Sequence, residues 1–133
     1  MNIIVVHTHK TAGLDPNQVI YLGRGAKNKF PILANDWSHL PKSMAKHKVE
    51  TVEEAVSCFQ QDLVQKLKSG SKIHQVQMRG LYDLTVSLAN RGDVYYACWC
   101  KHELAPTNRD HSCHCDILRS IVMSKYTHES KTM

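Results

Sequence analysis

No apolar run in the 133 residues approaches the roughly 20 that a membrane-spanning helix needs, so no such span is expected. The amino terminus, MNIIVVHTHK, has no basic stretch before its short apolar run and no small-residue cleavage site; it reads as a strand, not a signal peptide. Aromatic residues are scarce. With two Trp and two Phe in the whole chain, a stacking platform for single-stranded nucleic acid is weakly supported. The cysteines number five, and an odd count fits poorly with a disulfide framework. Acids are thin where bases are densest. Arg24, Lys27, Lys29, Lys42, Lys46 and Lys48 face only Asp36, an excess equal to the net charge of +5. That segment is either a solvated loop that keeps the protein soluble or an attractor of a phosphorylated or polyanionic ligand.

What is present describes an ordinary globular chain. The apolar fraction of 42% and charged fraction of 22% argue against wholesale disorder. The length suits one domain, expected over 1–123, with a polar, flexible tail over 124–133. With neither signal nor span, the expected location is a reducing cytoplasm (the host's, for a phage-encoded chain), where clustered cysteines indicate metal or catalysis more than disulfides.

IIVV (3–6) and QVIYL (18–22) have strand composition, separated by loop signals at Gly13 and Pro16. From 23 to 50 no period is sustained, which marks a functional loop or a concealed short helix. Thr51 and Glu54 have capping-box spacing, and Ala55, Val56, Phe59, Leu63 and Leu67 then recur at helical steps up to KSGSK. Cys58 flanks that stripe and reads as an inert buried thiol. A second stripe runs through Met78, Leu81, Thr85 and Leu88, weakened by Gly80. VYYACWC (94–100) is the strongest strand signal, and a last helix is expected from Ser112, with Ile117, Leu118, Ile121 and Val122 on its apolar face. The order predicts an α/β domain: a small sheet of three to five strands with about three helices.

Four of the five cysteines and three of the nine histidines fall within 95–118. Along a strand, Cys98 and Cys100 share a face and Trp99 takes the other. Cys113, His114, Cys115 and Asp116 would occupy the first turn of the last helix. Open α/β sheets bind ligands at such places, beyond the carboxyl ends of strands and against helix amino termini, where free N–H groups favour anions. Three readings stay open. Cys98 and Cys100 could join two of Cys113, His114 and Cys115 around zinc, with Cys98, Cys100, Cys113 and His114 as the chosen set. One helix-terminal cysteine could be a nucleophile, with His102, His111 or His114 as base. Or the cysteines are small buried residues. His7 and His9 share a strand face, while His39, His47, His74 and His128 read as surface residues. The zinc deaminase pattern, the full dinucleotide fingerprint and the phosphate-loop Lys-Ser/Thr pair are all missing.

VIYLGRG (19–25), followed by ANRGDVYYACWC and CHCDIL, resembles a family of small domains of unknown function common in bacteriophages and also found in bacteria. That family runs as Tyr-x-Gly-Arg, Asn-Pro-Phe, a helix, a Cys-Trp-Cys strand and a Cys-His-x-Asp-x-Leu helix start. The matching residues are Tyr21, Gly23 and Arg24, then Cys98, Trp99 and Cys100, then Cys113, His114, Asp116 and Leu118; NKFPI stands where the family has Asn-Pro-Phe, matching Asn28 and Phe30. The resemblance brings no known reaction, but implies that Arg24 and the Cys/His cluster belong to one site.

Arg24, the lysine-rich loop and the helix start together suit phosphate or carboxylate, and Tyr21 or Trp99 could face a base. The expectation is a nucleotide or nucleotide-derived ligand bound by Tyr21, Gly23, Arg24, Lys27, Asn28, Trp99 and Asp116. The role could be anti-defence, sequestering a host immune signal or acting on it. The alternatives are a zinc-stabilised interaction module for nucleic acid or a host protein, and a thiol-dependent enzyme. A homo-oligomer stays open.

Overall fold

Ile3–His7 forms β1 and Val19–Tyr21 forms β2. Trp37–Ser38 and His47–Lys48, as β3 and β4, make a separate two-stranded parallel pair. Two long helices follow, α1 (Val52–Lys68) and α2 (Lys72–Ala89), then β5 (Val94–Cys98) and α3 (His114–Thr132). This computed structural model describes residues 1–7, 12–24, 27–34, 37–38, 47–48, 52–98 and 114–132. The expected capping residues Thr51 and Ser112 lie outside them, as does His9. The result is a single compact α/β domain with three helices, as the order of signals predicted.

The main sheet has the order β1-β5-β2, with both pairings parallel. β5 is therefore central. A central strand buries both faces and reads as a continuous apolar run, which is why VYYAC gave the clearest strand signal; all but Tyr95 are buried. Register aligns Ile3 with Val94, Val5 with Tyr96 and Ile20 with Tyr96. These residues, with Leu22 and Cys98, form one face of the sheet. They pack in a single cluster with Phe59 and Leu63 of α1, Met78, Leu81 and Leu88 of α2, and Cys115, Leu118 and Val122 of α3. Each fully buried Leu contributes about 1.5–3 kcal/mol through water exclusion alone.

The junction between α1 and α2 is a Schellman motif. The Ser71 N–H donates to the Lys66 carbonyl at 3.0 Å and the Gly70 N–H to Leu67 at 3.4 Å. Gly70 adopts the left-handed φ of 85° that this stop requires. At the start of α2, the Ser71 hydroxyl meets His74 Nδ1 at 2.6 Å. His74 is buried, in contrast to its reading as a surface residue, because this hydroxyl satisfies its ring. Cys58, expected to be buried, is only half-buried on the flank of α1.

Gly80, the weak point of the second stripe, has a packing reason. A Cβ there would stand 3.0 Å from the Phe30 ring. The segment after β2 docks on α2 through this contact and through the Ile32 N–H, which donates to Gln77 Oε1 at 2.9 Å. The aperiodic stretch also conceals a 3-10 turn, Pro31–Leu33.

The helix α3 continues through the polar segment assigned to a flexible tail. Tyr126 packs against the core, and Glu129 accepts a hydrogen bond from the Tyr82 hydroxyl at 2.8 Å. Lys125 lies 5.1 Å from the Tyr82 ring centroid and 3.5 Å from Glu129. Among the described residues, no helix is long and apolar enough to cross a membrane.

Candidate functional site

Because the three main strands are parallel, their carboxyl ends lie along one edge of the sheet. Cys98 ends β5. Leu22 prolongs β2, its N–H donating to the Ala97 carbonyl at 2.8 Å. The helix α3 starts beside them. His114 Nε2 lies 2.7 Å from the Leu22 carbonyl, and both residues are buried. A carbonyl only accepts, so Nε2 carries the proton and, in the neutral ring, Nδ1 keeps the lone pair. Phe59 stands edge-on to the imidazole, with centroids 5.3 Å apart and planes at 75°.

Cys98, His114 and Cys115 converge here, with their ligand atoms all within 4.8 Å of one another. Cys115 Sγ is 3.8 Å from His114 Nε2. All three residues are at most 2% exposed. Two thiols and an imidazole are the donors a structural zinc takes; the imidazole nitrogen beside the Cys115 sulfur is Nε2, the one bonded to the Leu22 carbonyl, so ligation through it would require that hydrogen bond to be given up. The chemistry of the donor set fits a metal, with one position of a tetrahedron left for a further ligand. Cys100 and Cys113, both in the chosen set, lie outside the described residues, as does Trp99.

Cys115, outside the set expected from the sequence, is the helix-start thiol at the site among the described residues. Periodicity carried the signal: Cys115, Leu118 and Val122 fall three and four residues apart, and all three face the sheet. Leu22 contributes through its carbonyl, and backbone partners leave no mark on side-chain identity.

The other expected residues shape the turn after β2. The Tyr21 hydroxyl donates to the Arg24 carbonyl at 2.8 Å, closing the turn over Gly23. A Cβ on Gly23 would lie 2.5 Å from that hydroxyl oxygen, so the close approach requires glycine. Asn28 is buried; its Nδ2 donates to the Gly23 carbonyl at 2.9 Å, and its Oδ1 accepts from the Phe30 N–H at 2.6 Å. Lys27 is exposed, and with Tyr21 and Lys29 it lines a cleft beside β2. Asp116, in the first turn of α3, pairs with Arg119 at 3.1 Å, and Arg119 also reaches the Ile3 carbonyl at 3.4 Å. The structure thus brings together Cys98, His114 and Cys115 directly, and joins them to the Gly23–Arg24 turn through Leu22.

A family model described as a domain of unknown function (DUF4326) matches residues 6–124. No curated protein and no solved structure matches the chain.

Proposed function

The chain belongs to the DUF4326 family of domains of unknown function; since that membership carries no activity, we propose from the strand-end site that it binds a nucleotide or nucleotide-derived phosphorylated ligand. The observation that carries this reading is the hydrogen bond between His114 and the Leu22 carbonyl. It ties the turn bearing Arg24 to the first residue of α3. A guanidinium and the N–H groups of a helix start favour the same ligand group, a phosphate. Tyr21, Gly23 and Asn28 preset the shape of that turn, which lowers the ordering cost of binding. In a phage-encoded protein, such ligands include host immune signals, to be sequestered or acted on. The test is titration of the protein with a nucleotide panel by calorimetry. Arg24→Ala and Asp116→Ala should weaken binding of the best ligand at least tenfold. The reading fails if both leave binding of every nucleotide unchanged.

A second reading, a zinc-stabilised interaction module for nucleic acid or a host protein, is favoured by the buried Cys98–His114–Cys115 group. It predicts about one equivalent of zinc per chain, lost together with folding in Cys98→Ser and Cys115→Ser. A metal-free protein of full stability excludes it. The thiol-enzyme reading has less support, because Cys115, one of its two nucleophiles, is fully buried. Selective alkylation of one cysteine at neutral pH would revive it.

A further inference from the structure

At the outer edge of β2 the sheet and α2 leave a cleft of about 270 Å³. Ile20 of β2 and Leu88 of α2 are buried in it, Leu84 is half-buried, and Tyr21 closes one side. Lys27 and Lys29 stand exposed at its rim, and none of its nine lining residues is acidic. The ion pairs among the described residues use neither lysine.

The two cations are set on a braced backbone. Asn28 lies between them and is buried, holding the Gly23 carbonyl on one side and the Phe30 N–H on the other. Phe30 in turn rests on Gly80 of α2. Residues 27 and 29 therefore flank an anchored position, and their side chains leave from a fixed place beside the apolar cleft. Apolar walls with a few convergent polar groups are what small-ligand sites have in common. The volume lies just below the usual range of about 300–1,000 Å³ for drug-sized ligands, so it suits a single ring system.

We propose that this cleft takes the ring of a small phosphate monoester, of nucleoside monophosphate size, with the phosphate between Lys27 and Lys29. The inference rests on the reading of the chain as a binder of a phosphorylated ligand. It adds where the base sits, on Ile20, Leu84 and Leu88, and limits the ligand to one base and one phosphate group. The ammonium groups supply charge without bidentate geometry, so phosphate and ring must both contribute to affinity.

The probes are AMP, adenosine and inorganic phosphate, titrated against the whole chain by calorimetry with chemical-shift mapping. AMP is expected to bind, with adenosine and phosphate each at least tenfold weaker, and to shift the amides of Leu84 and Leu88. Lys27 is shared with the strand-end reading, so the deciding variants are Lys29→Glu and Leu84→Gln. Both positions are at least partly exposed, so both variants should fold. Each should weaken AMP at least tenfold, a loss that the strand-end residues Arg24 and Asp116 alone do not predict. AMP affinity unchanged in Lys29→Glu and Leu84→Gln overturns the cleft and leaves Lys29 as a guard of the sheet edge. If Arg24→Ala then abolishes binding, the strand-end reading stands without the cleft. Failure of the native chain to bind AMP or any other nucleotide overturns both.

Discussion

Tyr96 lies at the centre of the sheet with a hydroxyl that the fold must satisfy. Its oxygen meets Thr85 Oγ1 at 2.7 Å, and Thr85, fully buried, also reaches the Leu81 carbonyl at 2.7 Å. Thr85→Val removes the partner and leaves a buried hydroxyl alone, which costs about 1–3 kcal/mol. Denaturant unfolding should show it as a lower midpoint with an unchanged slope. Burial also pushes the Tyr96 phenol well above its ordinary value of 10.0, a rise only partly countered by the Thr85 hydrogen bond. A raised folded-state value means that the neutral phenol is the form the fold keeps. The contribution is complete below pH 10, where the unfolded phenol is also protonated, and is lost as pH climbs above it. Tyr96→Phe should therefore unfold less steeply with pH above 10 than the native chain, as followed by circular dichroism. Thr85 itself was legible as one position of a helical stripe. Its role was not, because a threonine in an apolar stripe does not announce which hydroxyl it faces.

Elements were read best where one physical signal dominated. The β-rich apolar runs of β1 and β5, the helical stripes of α1 and α2, and the Gly70 stop each specify local structure directly. The carboxyl-terminal half of α3 was different. Its residues after Met123 are Ser, Lys, Tyr, Thr, His and Glu, too polar to show an apolar period, and among the described side chains there only Tyr126 packs on the core. Tertiary contacts decide here: the Tyr82–Glu129 hydrogen bond and the Lys125 ammonium over the Tyr82 ring fasten the helix to α2. Removing residues 124–133 should cost about 1–2 kcal/mol, from the half-buried Tyr126 ring and these contacts, and lower the thermal midpoint. A flexible tail would leave the midpoint where it was. Gly80 shows the opposite compromise. In an exposed helix interior, glycine to alanine gains about 1 kcal/mol. With the Phe30 ring 3.0 Å from the new Cβ, Gly80→Ala should gain less than that, and Gly80→Leu should lose about 1–3 kcal/mol by overpacking.

For the molecule as a whole, the place of the site was readable and its membership only partly so. The end of β5 and the start of α3 meet because the helix returns beside the sheet, which brings Cys98 against His114 and Cys115. Cys98 and His114 met as expected. Cys115 completed the group because α3 turns its buried stripe, and Cys115 with it, toward the sheet. Cys98 and His114 are separated by 15 residues, so a metal bound there would close the connection from β5 to α3. Closing such a loop restricts the unfolded chain, and binding free energy becomes folding free energy. If zinc is held by Cys98, His114 and Cys115, a chelator should lower the thermal midpoint, and zinc added back should restore it. Cys58→Ser, at a half-buried thiol outside the group, should leave that response intact. The response in Cys115→Ser should vanish, because one of the three buried donors is gone. A midpoint indifferent to chelator in the native chain would instead make the three residues a packed junction, held by the Leu22–His114 hydrogen bond and the Phe59 contact.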